Sequence, residues 1–356
     1  MGDLGVDVVL LSVGADLPWV CGYEAMPLER LTMLVVPRDG VPTLVVPALE
    51  AARVADRPDV FHLLPWVESQ DPVRIVAELV GAGRRVAIGD RTWARFLVDL
   101  QAALPSVVFS RASEVVGPLR AVKDDAEVTA LRAAARAADR VAGHLLSGAI
   151  PLMGLSEADV SAALGRALLD EGHRRVNFAI VAAGGNAASP HHEPGPRRIG
   201  PDEAVLCDFG GTMADRFGVG YCSDITRCVW TGEPPIEAVE VYGVLERAQQ
   251  AAVDAAGAGV VAETVDVAAR SVIADAGLAE RFVHRTGHGI GVEEHEDPYL
   301  VEGNLAELVV GNAFSIEPGI YLAGRFGFRL EDIVVIDGSG GAERLNHAGR
   351  SLAVVR

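Results

Sequence analysis

The stretch AVLCDFGGTMADRFGVGYCSDITRCVW (204–230) places two aspartates in otherwise apolar, strand-like runs. Asp208 and Asp224 are symmetric about the middle of a polar turn that contains glycine. This pattern predicts a hairpin with strands at 204–210 and 224–231 and with the two carboxylates opposite each other. Like charges in that arrangement are destabilising unless a cation lies between them. The stretch therefore predicts a cation site as well as a hairpin.

The same symmetry recurs near the carboxyl end of the sequence. Glu317, in AFSIEPGIY, and Glu331, in GFRLEDIVVI, are symmetric about Gly324. The spacing predicts a second hairpin with a second pair of opposed carboxylates. A buried carboxylate without a partner is costly and protonates instead, so both hairpins need cations. The alternative for each hairpin alone is a solvent-facing acid on an edge strand, and the recurrence of the pattern argues against it.

The segment HRTGHGIGVEEHEDP (284–298) adds histidines to these acids. Glycines around His288 let the backbone approach closely, which favours His288 as a metal ligand. Four carboxylates and one imidazole suit Mn²⁺, Co²⁺, Fe²⁺ or Zn²⁺, and they are enough for two ions that share a bridging carboxylate. Such ion pairs deprotonate a bound water and polarise a carbonyl. In GGNAASPHHEPG (184–195), His191 and His192 belong either to a site or to a solvated loop.

The composition limits the class of function. Half of the 356 residues are hydrophobic and 22% are charged, which is typical of a compact soluble protein. The net charge of −18 disfavours nucleic acid or an anionic membrane as a partner. The start MGDLGVDVVLL lacks the positive region of a signal peptide, and other apolar stretches are too interrupted to span a membrane. Four cysteines without CxxC spacing indicate reduced thiols, so we expect the cytoplasm.

Two domains are expected. Residues 1–118 alternate apolar runs with helical stretches, which predicts a smaller α/β domain. Its strands are predicted at 6–13, 31–37, 43–47 and 85–89, and its helices at 72–83 and 92–104.

Residues 119–356 are predicted to form an α+β domain with helices on one face of a mainly antiparallel sheet. Asp124 and Glu127 form a capping box for one helix, and Ser156 is the expected cap of the next. Further helices are predicted at 234–257 and 264–277, and strands at 176–183, 204–210, 226–232, 313–322 and 328–336.

These segments resemble the pita-bread metallopeptidases, a family that includes Xaa-Pro dipeptidase (prolidase), aminopeptidase P, methionine aminopeptidase and creatinase. The resemblance covers about residues 120–340 through the motifs NAASPHHEP, VLCDFGG, YCSDITR, HRTGHGIGVEEHE, FSIEPGIY and FRLEDIVVI. The preceding part resembles the creatinase-type N-terminal domain, with PWVCGYEA (18–25) at its aromatic motif. The resemblance implies a C-terminal pita-bread fold with a smaller α/β creatinase-like domain before it.

The resemblance also implies roles at matching positions. The implied ligands of two divalent ions, with Mn²⁺ expected ahead of Co²⁺, Zn²⁺ or Fe²⁺, are Asp208, Asp224, His288, Glu317 and Glu331. Asp224 and Glu331 would bridge the ions. The implied substrate-contacting residues are His191 (rather than His192), His284, His295 and Arg329. Among these, His295 would stabilise the tetrahedral intermediate, and Arg329 would orient Asp224 or contact substrate.

The implied reaction is hydrolysis of the bond before proline, in Xaa-Pro dipeptides or at Xaa-Pro N-termini of short peptides. A hydroxide that bridges the metals would attack the carbonyl, and Glu317 would move a proton to the leaving nitrogen. A homodimer is implied as well. The alternatives are a creatinase-like amidinohydrolase, which works without metals, and a catalytically silent pita-bread scaffold, which would have lost ligands. The intact ligand set argues against both.

The sequence departs from the family pattern at one place. Sixteen positions separate Asp208 from Asp224, which is several more than the family shows, and the increment lies in the turn ADRFGVG. The longer turn leaves the specificity open between dipeptides and longer peptides, and it leaves the ligands in place.

Overall fold

The computed structural model describes residues 1–355 and divides the chain into two compact units. The first consists of Met1–Arg120 together with Arg216–Val219. The second consists of Ala121–Asp215 and the described residues from Gly220 onwards. The tip of the long turn between the two candidate aspartates is therefore grouped with the first unit.

The first unit contains a six-stranded sheet in the order β4-β3-β2-β1-β5-β6. Its strands are β1 (Val8–Leu11), β2 (Met33–Pro37), β3 (Thr43–Pro47), β4 (His62–Trp66), β5 (Arg85–Ile88) and β6 (Val108–Arg111). Its helices are α1 (Asp16–Cys21), α2 (Pro72–Val80), α3 (Ala94–Ala103) and α4 (Ser113–Ala121). The predicted strands and helices are present, and the prediction missed both edge strands, β4 and β6. Edge strands bury little, so they lack the long apolar run that marks a central strand.

The helices of the second unit begin where their caps predict. They are α5 (Asp125–Leu146), α6 (Glu157–Asp170), α7 (Ile236–Ala255) and α8 (Ala262–Asp275). The Asp124 side chain accepts from the backbone of Ala126 and Glu127, both at 2.8 Å, which confirms the capping box. Ser156 caps α6 in the same way. No helix within residues 1–355 is long and apolar enough to cross a membrane.

The strands of the second unit form two larger sheets and a separate pair. They are β7 (Arg175–Ala183), β8 (Glu203–Ala214), β9 (Gly220–Cys222), β10 (Ile225–Thr231), β11 (Gly287–Gly289), β12 (Glu296–Leu300), β13 (Ala313–Ile316), β14 (Gly319–Leu322), β15 (Phe326–Arg329), β16 (Asp332–Ile336), β17 (Ala342–Arg344) and β18 (Ala353–Val355). One sheet has the order β18-β10-β8-β7, with β9 on β8, and the other has the order β12-β11-β13-β16-β17. Strands β14 and β15 form the pair. All these pairings are antiparallel except β10 with β18.

Each pair of helices packs on strands through its own hydrophobic cluster. Helices α5 and α6 share a cluster with β7, β8 and β10, which includes Leu145, Val181 and Phe209. Helices α7 and α8 share a second cluster that includes Leu245 and Phe314. This arrangement confirms the predicted α+β class, in which helix pairs cover antiparallel strands.

Candidate metal centre

The second predicted hairpin has the predicted register. Strands β13 and β14 pair with β16 and β15 about Gly324, which has a φ of 72°. Ile316 pairs with Asp332 at one side of a short gap in this ladder. Glu317 and Glu331 occupy the gap, where the same register places them opposite each other. The prediction of opposed carboxylates is confirmed for this hairpin.

The register predicted for the first hairpin is wrong. Asp208 pairs with Thr226 rather than with Asp224. Asp224 lies just before β10 and opposite Gly210, because the same register continues through the Ser223 N–H, which donates to the Gly211 carbonyl at 2.8 Å, to the Thr212–Cys222 pair. Because side chains alternate with a period of two, a shift of two residues keeps Asp208 and Asp224 on the same face, as diagonal neighbours. The symmetry argument thus found the correct face and the wrong partner.

His288 points one ring nitrogen towards the carboxylates. Its Nδ1 donates to the Gly289 carbonyl at 3.1 Å, which leaves Nε2 to face the carboxylates. His288 Nε2 lies 3.3 Å from Glu317 Oε1 and 3.8 Å from Asp224 Oδ2. Asp224, His288 and Glu331 each offer one potential metal-ligating atom, and these three atoms all lie within 4.8 Å of one another. A backbone carbonyl that fixes the tautomer in this way is typical of a metal-binding histidine.

Arg329 and Thr226 hold the other two acids. Arg329 donates from Nη2 to Asp208 Oδ2 at 2.5 Å and from Nε to Thr226 Oγ1 at 3.1 Å. Thr226 Oγ1 in turn donates to Glu331 Oε2 at 2.7 Å. Of the two predicted roles of Arg329, the one through Asp224 is replaced by a bond to Asp208, because the register brings Asp208 level with Thr226 and so into reach of the guanidinium, and a contact with substrate stays a prediction. Thr226 was not predicted, although its position two residues after Asp224 places it on the same strand face.

The electrostatics of the cluster favour a bound cation. Burial raises the pKa of Asp208, Asp224 and Glu331, and the neighbouring carboxylates raise each pKa further. Within residues 1–355, the buried Oδ1 atoms of Asp208 and Asp224 have no hydrogen-bond partner. A divalent cation would stabilise the ionised acids and give both oxygens a partner. The residues present therefore fit divalent metal ions.

Glu317 differs from the other three acids. Burial alone would raise its pKa, but the hydrogen bond and charge of His288, together with Arg329, lower the pKa to about 2. Ser315 Oγ also donates to Glu317 Oε1 at 3.3 Å. Glu317 is therefore the carboxylate of the cluster that stays ionised at neutral pH without help from a metal ion.

The cluster forms one wall of a cavity of about 560 Å³ that also holds three predicted histidines, His191, His284 and His295. The rings of His288 and His295 have centroids 3.9 Å apart. Burial lowers the pKa of His295 to about 4, with further lowering by the charges of His288 and Arg285, and burial also lowers the pKa of His284. His284 and His295 are therefore neutral at neutral pH.

The adjacent histidines at 191 and 192 have different surroundings. His192 Nε2 lies 2.8 Å from Glu157 Oε2, and Glu157 is fully buried. The same carboxylate accepts hydrogen bonds from Ala183 N and Asn186 Nδ2, both at 2.9 Å. His192 therefore anchors the loop, and His191 is the one that lines the cavity.

The loop that carries His295 is anchored by Lys123, the one lysine in the sequence. Lys123 Nζ lies 2.7 Å from Glu296 Oε1, and the two side chains are 1% and 8% exposed. Gly291 packs directly against this ion pair, and a side chain does not fit there because a Cβ would lie 2.4 Å from Glu296 Oε1. The ion pair and the glycine together hold the loop between β11 and β12.

The cavity also has residues that sequence reasoning missed. Phe178 and Ile180 alternate on β7 and form an apolar wall, with Ile180 paired to Asp208. Behind the lining residues, Tyr321 contacts His284 Nε2 at 2.8 Å and accepts from Arg329 Nη1 at 3.1 Å. The wall could have been found from strand alternation once Asp208 was assigned to the cavity face. The contacts of Tyr321 are tertiary and leave no local signal.

Comparison with known proteins identifies relatives along nearly the whole chain. Residues 129–338 match metallopeptidase family M24, and residues 1–122 match the creatinase/prolidase N-terminal domain. The probable dipeptidase PepE of Mycobacterium tuberculosis is 43% identical over 99% of this chain and 93% of its own length. The Xaa-Pro dipeptidase of Lactobacillus helveticus is 36% identical over 99% of this chain and 96% of its own length. The solved prolidase of Thermococcus sibiricus has a TM-score of 0.92 at 34% identity, covering 99% of this chain and 96% of that chain.

These matches confirm the resemblance inferred from the motifs, including the creatinase-like first domain and the pita-bread second domain. Membership of the family implies divalent metal ions and peptide substrates. The chain belongs to metallopeptidase family M24, and it is a metal-dependent peptidase.

Proposed function

We propose that this chain hydrolyses the bond before proline in Xaa-Pro dipeptides or at the Xaa-Pro N-termini of short peptides. The convergence of four buried carboxylates and the Nε2 of His288 on one cavity carries the proposal. The relatives named as Xaa-Pro dipeptidase and prolidase support the same substrate class, and they favour peptide hydrolysis over amidine hydrolysis. The apolar wall of Phe178 and Ile180 suits a pyrrolidine ring.

We assign two divalent ions to the cavity, with Mn²⁺ as the first choice. The residues that would hold them are Asp208, Asp224, His288, Glu317 and Glu331. When bound, such ions lower the pKa of a water molecule to near neutrality and polarise a carbonyl. Four carboxylates and only two guanidiniums line the cavity, so its charge balance is suited to cations.

The chain's own side chains supply the remaining steps. Arg285 Nη2 donates to His295 Nδ1 at 3.3 Å, so His295 carries its proton on Nε2. A neutral His295 can thus donate a hydrogen bond to the substrate carbonyl oxygen as negative charge develops there. Glu317, ionised at neutral pH, would accept a proton from the attacking water and deliver it to the leaving proline nitrogen. His191, which lines the same cavity, would contact the substrate.

Three further expectations remain predictions. They are a homodimer, a cytoplasmic location and a domain boundary between residues 118 and 119. The four cysteines are free and buried, which supports a reducing compartment.

Metal analysis and a peptide panel test the proposed function. We expect bound or added Mn²⁺ to give turnover of Ala-Pro, with little or no turnover of Ala-Ala. Ala-Pro-Ala in the same panel separates a dipeptidase from an aminopeptidase. No bound metal, together with no turnover of any of these peptides with Mn²⁺ or Co²⁺, would contradict the proposal and leave the silent scaffold as the explanation.

A further inference from the structure

Arg285 has an incompletely used guanidinium in the cavity. The side chain is half-buried and lies on the cavity wall. Its guanidinium lies over the Tyr299 ring at 4.6 Å, and Nη2 donates to His295 Nδ1 at 3.3 Å. Within residues 1–355, Arg285 forms no ion pair with a carboxylate. A guanidinium has five N–H donors, so most of its donors are available to a ligand.

The other arginine of the cavity is fully engaged by the protein. Arg329 is 3% exposed and donates to Asp208, Thr226, Tyr321 and the Pro190 carbonyl. Its charge is paired with the metal-site acids, so it has little capacity for a second anion. The guanidinium of Arg329 is therefore bonded to the protein, whereas that of Arg285 is open to the cavity.

We propose that Arg285 recognises a carboxylate of the peptide substrate and so determines which peptides this enzyme prefers. An arginine and a carboxylate form two parallel charge-assisted hydrogen bonds, which gives both affinity and orientation. Two parts of a small peptide carry this group, the C-terminal carboxylate of a dipeptide and an acidic side chain on the residue before proline. The inference rests on the proposed function, because it assigns a partner within the same cavity.

The contact with His295 requires a test that separates recognition from positioning. Losing Arg285 can slow every substrate by disturbing His295. That effect is common to peptides with and without the carboxylate, so it cancels in a ratio of kcat/KM values. A loss of carboxylate recognition changes the ratio itself, as in a double-mutant cycle.

The experiment compares the metal-loaded wild type with Arg285→Gln, Arg285→Lys and the control Arg281→Gln. Arg281 is exposed and lies four residues earlier on the same segment. One ratio is Ala-Pro over Ala-Pro-amide, which reports on the C-terminal carboxylate. The other is Glu-Pro over Gln-Pro, which reports on an acidic side chain. Hydrogen bonds to charged groups correspond to roughly a ten- to hundred-fold preference.

We expect Arg285→Gln to lower one of the two ratios by about ten-fold or more. Arg285→Lys should retain part of the wild-type preference for the carboxylate, and Arg281→Gln should retain all of it. The ratio that falls identifies the source of the carboxylate. If both ratios stay at wild-type values in Arg285→Gln, the inference is wrong. If wild type does not turn over Ala-Pro, the proposed function fails separately. The same peptides then serve as stable ligands for calorimetry, where equal affinities with and without the carboxylate overturn the inference.

Discussion

Replacing the buried Glu157 with alanine should free the loop that presents His191. The carboxylate accepts from Ala183 N, Asn186 Nδ2 and His192 Nε2, at distances of 2.8 to 2.9 Å. Leaving a buried donor unsatisfied costs about 1–3 kcal/mol, and partial relaxation brings the total to about 3–5 kcal/mol. Glu157→Gln keeps an acceptor for two of the donors, so it should cost only about 1–2 kcal/mol.

The pKa of Glu157 gives this prediction a pH dependence. Burial alone would raise the pKa, but hydrogen bonds from Asn186 and His192 outweigh burial and lower it. A lowered pKa in the folded state contributes stability above the unfolded pKa, and that contribution is lost as pH falls through the folded value. The difference in unfolding free energy between wild type and Glu157→Gln should therefore be full at pH 7 and shrink below about pH 4.

Urea denaturation followed by circular dichroism measures the free energy of unfolding, and amide hydrogen exchange over residues 183–195 reports on the loop itself. The matched control is Glu193→Ala, since Glu193 is an exposed acid of the same loop. We expect faster exchange and a raised KM for Ala-Pro in Glu157→Ala and near wild-type values in Glu193→Ala. A Glu157→Ala protein within 1 kcal/mol of wild type, with unchanged exchange, would refute the reasoning.

Three further predictions concern the metal site and its support. Asp224→Ala should abolish stoichiometric metal in elemental analysis while leaving the metal-free protein at least as stable to urea, because the raised pKa of Asp224 shows that its ionised form is disfavoured; wild-type metal content would contradict the assignment. Because the pKa values of the buried acids are raised, the native state keeps protons that the unfolded state releases near pH 4. The free energy of unfolding of the metal-free protein should therefore fall from pH 5 to pH 8, and added Mn²⁺ should reverse this trend. A free energy of unfolding that does not change with pH would contradict this prediction. Lys123→Met should lower the free energy of unfolding by about 3–5 kcal/mol, because it leaves Glu296 buried without a partner. The double variant Lys123→Met/Glu296→Leu should lose much less, and equal losses in the two variants would argue against the buried ion pair.

The sequence predicts features that depend on nearby residues. The capping box at Asp124 and the register about Gly324 both follow from short-range chemistry, in which a side chain or a turn dictates the next few hydrogen bonds. The pairing of Glu317 with Glu331 could be predicted because the connection between them is short. A period-two alternation then suffices to place both acids on one face.

Features that depend on tertiary contacts could not be predicted. The same register holds from the Glu203–Thr231 pair to the Ala214–Gly220 pair, so the pairing of Asp208 is set by the longer turn, whose centre has no sequence signature. The choice between His191 and His192 depends on Glu157, which lies 35 positions before His192. That the Arg285 guanidinium forms no ion pair in the described part of the chain is likewise visible only once the acids around it have been assigned to other partners.

The burial of the one lysine has a consequence for covalent chemistry. Lys123 is 1% exposed at its side chain and engaged by Glu296, so its ammonium group is sheltered from reagents. Succinimidyl esters, reductive methylation and enzymes that attach protein tags to lysine all require an accessible ε-amine. The folded second unit should resist all of them, although a chain of this size ordinarily carries many reactive lysines. An amine label that enters at residue 123 would then report directly on the opening of the loop that presents His295.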